Sequence, residues 1–364
     1  MNRRAYLRTL ASAGVVGTTG CLRTAGSEPT TTADEGPQFR IETVTMELEV
    51  PWGTAFTPDG DLYLTERPGR VQRVTAENNR KEEVADLTDA VAPRGEGGLL
   101  GLAFHPDDAD LAYTYQTYED DSGLANRVVR HRVSEGFDRE SVVIDGIPAS
   151  SIHNGGRIAF GPDGALYVTT GDASRSELAQ DRESLAGKVL RLTPEGEAHP
   201  DNPFDSRVFT YGHRNPQGLA WRDGTLFVTE HGPATDDEIN VLEAGNNYGW
   251  PEVKGQSEAD EFTDPIAAYT PTIAPGSAAF YRGPIDEWSG DFFFGTLAGT
   301  HLHRVRIGEN DEVVEQERLL DGKYGRLRTV FTGPDDHLYV TTSNRDGRGT
   351  PAPQDDRVLR IQPA

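Results

Sequence analysis

Short runs of alternating apolar and polar residues fill most of the chain, separated by clusters of Gly, Pro, Asp and Asn. Runs of this length that are rich in Val, Thr, Tyr, Leu and Phe are typical of β-strands joined by turns. Helical periodicity is scarce. The pattern therefore predicts an all-β protein with many turns.

One signature recurs: a strand, a turn of the Pro-Asp-Gly type, and a second strand of alternating apolar residues. Its copies are at residues 56–65, 104–115, 160–169, 221–229 and 331–341, with a degenerate copy at 280–295. A spacing of about 50–60 residues is typical of propeller blades, whose faces bury one another. We therefore predict a six-bladed β-propeller of four-stranded antiparallel blades over residues 39–364. The final strand, residues 357–361, is expected to complete a blade begun near the amino end.

The second strand of several blades ends in polar residues, at Glu66, Asp172, Glu230 and residues 343–345. Equivalent strand ends lie on one face of a propeller, so a ligand site at this face would collect residues from all the blades.

The amino end is expected to lie outside the fold. Residues 1–21 read as a twin-arginine signal with a lipobox, because Arg3 and Arg4 are followed by a short apolar stretch at residues 10–16 and then by a lipobox-like segment that ends at Cys21. A dispensable buried thiol is the alternative for Cys21. Residues 22–38 are polar and read as a flexible linker. With one cysteine in the chain, no internal disulfide can form. These features predict an exported protein anchored to the outer face of the cell membrane through a lipidated Cys21.

The formal net charge is -24. Nucleic acid is therefore not expected as a partner, because binding phosphates needs a basic surface. Low Lys content beside abundant Asp and Glu resembles proteins of halophilic archaea. A solvated acidic surface and carboxylates gathered for cations both remain open.

The first chemically distinctive segment contains His153, with Asp172 at the end of the following strand. These two side chains can meet at one rim, as a general base oriented by a carboxylate. A structural histidine in a loop is the alternative.

The other segments are rich in charge. Arg214 lies in a dense polar run and offers a fixed positive fork for an oxyanion or carboxylate. Residues 229–240 combine a Gly-Pro turn with three consecutive acids, a pattern compatible with a hard-cation site or with a simple acidic turn. Arg326 and Arg328 alternate on a strand and so share a face, where a polycarboxylate ligand would satisfy both.

Together these segments resemble the family of soluble quinoprotein glucose and aldose sugar dehydrogenases. The resemblance runs from about Val50 to the end of the chain and is nearly residue for residue at 212–219 and 232–250. The family commonly has Gln at the positions of Glu96 and His231, and some members have Lys near Ala298.

The resemblance implies pyrroloquinoline quinone and Ca²⁺ as cofactors. It implies that His153 takes the proton from the anomeric hydroxyl of the sugar, that Asp172 orients His153, and that Arg214 polarises the quinone carbonyl as hydride arrives. The implied cofactor-binding residues are Glu96, Arg214, Asn215, Tyr269, Thr272, Arg326 and Arg328. Gly232 and Pro233 would offer carbonyls to the calcium at the quinone, and Glu238 and Tyr248 would bind a second, structural calcium.

The function implied is oxidation of an aldose at its anomeric carbon to the lactone, with the electrons passed to an external acceptor. Two alternatives belong to other classes: a calcium-dependent propeller lactonase, and a non-catalytic propeller that binds a surface partner. The lactonase would need several side-chain metal ligands on the propeller axis.

Overall fold

A computed structural model describes residues 39–257 and 259–364 of the chain. Within these ranges the backbone forms 24 strands and three short 3-10 helices. The strands form six sheets of four strands each, and neighbouring strands in every sheet are antiparallel. The predicted all-β, six-bladed propeller is confirmed.

The strands follow one another blade by blade. The first strand is β1 (Phe39–Thr45). Blade 1 contains β2 (Pro51–Phe56), β3 (Leu62–Glu66), β4 (Arg70–Val74) and β5 (Lys81–Asp86). Blade 2 contains β6 (Leu99–His105), β7 (Asp108–Asp120), β8 (Gly123–Arg132) and β9 (Asp138–Pro148). Blade 3 contains β10 (Ile158–Phe160), β11 (Leu166–Thr170), β12 (Lys188–Leu192) and β13 (Val208–Tyr211).

Blades 4 and 5 contain β14 (Pro216–Arg222), β15 (Thr225–Glu230), β16 (Asp237–Leu242), β17 (Ala267–Tyr269); and β18 (Pro275–Phe280), β19 (Phe292–Thr296), β20 (Leu302–Ile307), β21 (Val313–Leu319). Blade 6 contains β22 (Leu327–Thr332), β23 (Leu338–Thr342), β24 (Val358–Pro363) and β1. The 3-10 helices are Thr88–Ala90, Ser176–Ala179 and Asp286–Trp288.

The two ends of the propeller meet in blade 6. Strand β1 pairs with β24, and Phe39 lies opposite Pro363. The prediction that the final strand shares a blade with the amino-terminal part of the fold is confirmed. The order differs from the expectation, because the blade begins at β22 and β1 is the strand that completes it.

The Pro-Asp-Gly turns are stabilised by their aspartate. In blade 3 the carboxylate of Asp163 accepts hydrogen bonds from the Ala165 N–H at 3.1 Å and the Tyr167 hydroxyl at 3.0 Å. Gly164 has a φ of 76°, the left-handed conformation that favours glycine. The turn aspartate thus binds both the turn main chain and the tyrosine of the next strand, which explains why these residues recur together.

The repeated aromatic residues form the junctions between blades. Each ring at the end of a first strand meets, edge-on, the aromatic ring of the second strand in the neighbouring blade. The pairs, with centroid separations of 5.0–5.4 Å, are Tyr63–Phe104, Tyr113–Phe160, Tyr167–Trp221, Phe227–Phe280 and Tyr339–Phe56. In the degenerate copy Phe293 packs instead on Trp288, at 5.2 Å. Edge-to-face pairs add to burial, so the repeat holds the ring together.

The predicted signal with its lipobox, residues 1–21, and the predicted linker, residues 22–38, lie outside the described residues. Across residues 39–257 and 259–364, no helix is long and apolar enough to cross a membrane.

Candidate active site

The site is built at the face where first strands begin and second strands end. Because these strands are antiparallel neighbours, a residue just before the first strand and one just after the second meet at the same edge. This position is shared, blade by blade, by Arg67; Glu96; His153 and Asp172; Arg214 and Gly232; Thr272; and Arg326 with Asp346. The strand-end argument from the sequence is therefore correct.

His153 and Asp172 are in direct contact. Nδ1 of the imidazole lies 2.8 Å from Oδ1 of the carboxylate, and the Asp172 side chain is almost completely buried. A carboxylate only accepts hydrogen bonds, so the proton of a neutral imidazole is on Nδ1 and its Nε2 presents a lone pair. The predicted pairing of a candidate base with an orienting carboxylate is thus observed.

Asp172 is itself held by two further donors. The indole N–H of Trp250 donates to Oδ2 at 2.9 Å, and the main-chain N–H of Ser174 donates to Oδ1 at 2.7 Å. Trp250 lies in the long connection between β16 and β17. Sequence reasoning did not identify it as a site residue, because nothing local in residues 243–266 shows that the indole reaches blade 3.

Arg214 lies against the imidazole. Its Nη2 is 2.9 Å from Nε2 of His153, and its Nη1 donates to the carbonyl of Gly232 at 2.7 Å. Its Nε is buried and lacks a hydrogen-bond partner in the described part of the chain. Burial lowers the pKa of Arg214 below its usual value, although neighbouring carboxylates oppose this. An unpartnered buried donor beside a candidate base indicates a place for a polar ligand.

Glu230 holds the main chain around Arg214. Its Oε2 lies 2.8 Å from Nδ1 of the buried His213, and its Oε1 accepts the main-chain N–H groups of Arg214 and Asn215. The side chain of Asn215 in turn accepts the Gly155 N–H at 3.0 Å, close to His153. The polar run thus links blades 3 and 4.

Asp237 joins the two loops that flank the predicted calcium carbonyls. Its carboxylate accepts four hydrogen bonds, of 2.6–2.8 Å, from Gly232 N–H, the Thr272 hydroxyl, Ile273 N–H and Ala274 N–H. Asp236 accepts a hydrogen bond from the Thr270 hydroxyl at 3.0 Å and lines the same small cavity as Glu238. Asp237 therefore points away from the other two acids, because successive side chains on a strand lie on opposite faces.

Arg326 and Arg328 share a counter-ion. Asp346 lies 2.7 Å from Nη2 of Arg326 and 3.8 Å from Nη2 of Arg328. The prediction that both guanidinium groups meet on one side is confirmed, and Asp346 is the anion beside them. Asp346 directly follows residues 343–345, the polar strand end identified from the sequence.

Two deeply buried arginines lie near the axis. Arg157 donates to the Gln217 and Trp52 carbonyls and, in the described part of the chain, contacts no carboxylate. Burial and the nearby Arg328 lower the pKa of Arg157 to about 9, and burial lowers that of Arg328 to about 10. Buried cations that are incompletely neutralised favour an anionic ligand, which contrasts with the net charge of -24 for the whole chain.

Tyr269 and Thr272 flank the same loops. The Tyr269 hydroxyl is buried and has no hydrogen-bond partner in the described residues, and burial raises the pKa of that hydroxyl. Its ring packs on Phe294 and His303. Thr272 donates to Asp237, so its hydroxyl is already engaged.

The family model described as Glucose / Sorbosone dehydrogenase matches residues 48–351. The chain belongs to the glucose/sorbosone dehydrogenase family. The aldose sugar dehydrogenase YliI of Escherichia coli K12 is 32% identical over 84% of this chain and 91% of its own length. The PQQ-bound aldose sugar dehydrogenase of Streptomyces coelicolor is 42% identical, with a TM-score of 0.81 over 90% of this chain and 99% of its own.

A Thermus thermophilus structure described as an oxidoreductase (glucose dehydrogenase) is 47% identical, with a TM-score of 0.82 over 89% of this chain and 99% of its own. The expected membership of a quinoprotein sugar dehydrogenase family, stated from the motifs alone, is thus confirmed.

Glu238 lies in a small buried cavity. It is opposite Glu230 across β15 and β16, and the cavity, also lined by Tyr248 and Asp236, measures about 10 Å³, room for one ion or water. Burial, then the nearby Glu230, raises the pKa of Glu238 to about 8. The Tyr248 hydroxyl already donates to the Val241 carbonyl at 2.7 Å. No group of three or more His, Cys, Asp or Glu side chains with metal-binding geometry is present in residues 39–257 and 259–364.

Glu96 and Arg348 form an ion pair of 3.0 Å at the mouth of the site. Burial alone would raise the pKa of Glu96, but His231, the His153 N–H and two arginines together lower it. Glu96 is therefore ionised at neutral pH in this member of the glucose/sorbosone dehydrogenase family. Arg348 was not identified from the sequence, because its loop returns across the face from blade 6.

Proposed function

We propose that the protein oxidises an aldose at its anomeric carbon to the lactone, using calcium-bound pyrroloquinoline quinone. The observation that carries this proposal is the arrangement at His153. Asp172 contacts Nδ1 of the imidazole, and Arg214 lies against its Nε2 and has an unpartnered, buried Nε. A base and a fixed cation side by side suit the removal of a proton and a hydride from one carbinol.

The residues present fit this quinone, which carries three carboxylates. Arg326, Arg328 and the buried Arg157 supply positive charge on one side of the site, and Arg214 Nε and Tyr269 Oη are buried polar atoms that need partners. The relative from Streptomyces coelicolor, whose structure is described as PQQ-bound, supports the same cofactor.

The fit to calcium rests on main-chain oxygens. Calcium takes six to eight oxygen ligands, and carbonyls are common among them. We propose that Gly232 and Pro233 offer their carbonyls to the calcium at the quinone. The Gly232 carbonyl also accepts a hydrogen bond from Nη1 of Arg214 at 2.7 Å. Glu238, in its ion-sized cavity beside Tyr248, would contribute to the second, structural calcium.

The bound quinone supplies the two-electron acceptor for the hydride that leaves the anomeric carbon. Nε2 of His153 takes the proton of the anomeric hydroxyl as that hydride departs, so a carbonyl is formed and the lactone results. Asp172 stabilises the imidazolium through Nδ1. Arg214 stabilises negative charge that develops on oxygen, and Trp250 keeps Asp172 in place. An external acceptor then removes the electrons.

Reconstitution tests the proposal. Apoprotein is mixed with Ca²⁺ and pyrroloquinoline quinone, and dye-linked oxidation is followed for a panel of aldoses together with the absorption spectrum. We expect sugar-dependent bleaching of the oxidised quinone and lactone formation. Quinone that binds without any aldose turning over would overturn the assigned reaction, and lactone hydrolysis without quinone would favour the lactonase. The relatives named as dehydrogenases do not favour that alternative.

We also propose that the protein is exported and held at the outer face of the membrane through Cys21. The support is the twin-arginine pattern followed by the single cysteine of the chain. Cys21→Ala should release the protein from the membrane fraction and abolish labelling with a lipid precursor. Unchanged membrane attachment would contradict the anchor.

A further inference from the structure

The carboxylate of Glu96 links two parts of the site that lie on different blades. Its Oε2 accepts the main-chain N–H of His153 at 3.1 Å, and its Oε1 lies 3.0 Å from Nη1 of Arg348. Glu96 precedes blade 2, His153 precedes blade 3, and Arg348 follows the second strand of blade 6. One carboxylate therefore bridges the main chain of the candidate base and a side chain from a loop of blade 6.

His153 needs such support because its backbone is strained. Its φ is 60°, in the left-handed region that non-glycine residues occupy only when their surroundings enforce it. Four hydrogen bonds hold the residue. Glu96 accepts its N–H, its carbonyl accepts the Ala173 N–H at 3.2 Å, Asp172 contacts Nδ1 of the ring, and Arg214 contacts Nε2. Without Glu96 the main-chain N–H loses its acceptor while the ring keeps its own.

Arg348 is connected in turn to the buried arginines. Its main-chain N–H donates to Asp346 Oδ1 at 2.9 Å, and Asp346 pairs with Arg326 and Arg328. A continuous chain of polar contacts thus runs from Arg326 through Asp346, Arg348 and Glu96 to His153. The chain joins the proposed binding site of the quinone carboxylates to the proposed base.

We propose that Glu96 is a positioning residue: it holds the base His153 through its main-chain N–H, and Arg348 holds Glu96 in place. The inference rests on the proposed function. Exposed ion pairs add little to folding stability, and the Arg348 side chain is 60% exposed. Loss of the pair should therefore change the geometry of the base much more than the stability of the propeller.

Four variants test the positioning role: Glu96→Ala, Glu96→Gln, Arg348→Gln, and the double variant Glu96→Ala with Arg348→Gln. The control is Arg132→Gln, which breaks a surface pair with Glu140 of 2.8 Å in blade 2. For each reconstituted protein, kcat, KM, the isotope effect with C1-deuterated aldose and the quinone Kd are measured. Thermal unfolding of the apoproteins shows whether the fold is intact.

We expect Glu96→Ala to lower kcat about 10- to 100-fold, because misplacing a reacting group by a fraction of an ångström has effects of this size. KM and quinone Kd should change less than about 3-fold, and the isotope effect should rise as proton and hydride removal become limiting. Glu96→Gln keeps a carbonyl acceptor and should recover most of the rate. Arg348→Gln should lower kcat a few-fold, without a further loss in the double variant.

A second readout does not depend on turnover. Apoprotein labelled with ¹⁵N-histidine shows main-chain amide signals for its histidines, nine in the whole chain, and His153→Gln assigns the signal of interest. That signal should move upfield in Glu96→Ala, move less in Glu96→Gln, and stay in place in Arg132→Gln. An unmoved amide signal, an unchanged kcat, or a Gln variant as slow as the Ala variant would overturn the inference. Inactive wild-type protein with a shifted signal would instead overturn the proposed function alone.

Discussion

Nη2 of Arg214 lies 2.9 Å from Nε2 of His153, so the guanidinium is placed to donate a hydrogen bond to the candidate base. A guanidinium donates hydrogen bonds and does not accept them, so this contact fits the imidazole tautomer whose proton lies on Nδ1, facing Asp172. Nε2, the nitrogen proposed to take the substrate proton, is thus the one that faces Arg214.

His153→Ala should abolish turnover and leave quinone binding mostly intact. General bases contribute about 10²- to 10⁴-fold to rates, so kcat should fall by at least that much. Dye-linked kinetics and a quinone titration measure the two properties separately. His199→Ala, in a loop of the same blade, is the matched control and should retain activity. A variant at residue 153 that turns over at the wild-type rate would remove His153 as the base.

Trp250→Phe should lower kcat about 10- to 100-fold. The substitution keeps an aromatic ring but removes the N–H that donates to Asp172 Oδ2 at 2.9 Å, a hydrogen bond to a charged acceptor worth about 1.5–3 kcal/mol. The quinone Kd provides the comparison, because Arg214 also lies over the indole ring at 5.4 Å. A Kd that changes as much as kcat would place Trp250 in cofactor binding instead of in the orientation of Asp172.

Asp237→Asn should weaken calcium binding more than it weakens the fold. Oδ2 accepts the Thr272 hydroxyl and two N–H groups, whereas Oδ1 accepts only the Gly232 N–H. The amide NH₂ of asparagine would therefore face Gly232 and push that carbonyl loop away. Calcium titration monitored by quinone absorbance should show at least about a 10-fold loss, equivalent to about 1.4 kcal/mol. Asp59→Asn, in the exposed turn between β2 and β3, is the control and should leave calcium affinity unchanged.

Acid should destabilise the fold between about pH 6.5 and pH 4. Burial lowers the pKa of His131 and of His303 to about 4, from an ordinary 6.5. The unfolded chain therefore binds protons in this window that the folded chain does not, and stability present above pH 6.5 is lost as the pH falls toward 4. Each group contributes up to about 3 kcal/mol.

Urea unfolding at pH 7.5, 6 and 5 measures this loss. The variant His131→Gln replaces one titrating group and should show a shallower fall in unfolding free energy than the wild type. Equal pH dependence in both proteins would mean that other groups, such as the many carboxylates, account for the acid effect.

Most of the fold could be predicted because the same strand–turn–strand signature recurs in the blades. The turn aspartate, the tyrosine and the terminal aromatic residue appear together in residues 160–169 and again in 331–341, and local chemistry explains each contact. Blade 5 was recognised as degenerate, and there the aromatic Phe293 packs differently. The order of strands in blade 6 could not be read locally, since it depends on pairing between distant segments.

The site was predictable only where a residue lies next to a strand end. His153, Asp172 and Arg214 follow that rule and meet as expected. Trp250 and Arg348 reach the site from loops whose path depends on the whole ring, and no sequence spacing marks them. Of the three acids at 236–238, which look alike in sequence, Asp236 and Glu238 line one cavity, whereas Asp237 points to the other side because side chains alternate along a strand.

The pairing of β1 with β24 brings together residues such as Glu42 and Arg360, which are 318 positions apart. Blade 6 is therefore incomplete until both β1 and β24 have been synthesised. Because the site collects residues from all six blades, it cannot form before the ring is closed. Contacts at this separation in sequence form slowly. Quinone binding would consequently serve as a readout of completed synthesis: a fragment that lacks either terminal strand should fail to bind the cofactor even though every other blade is present.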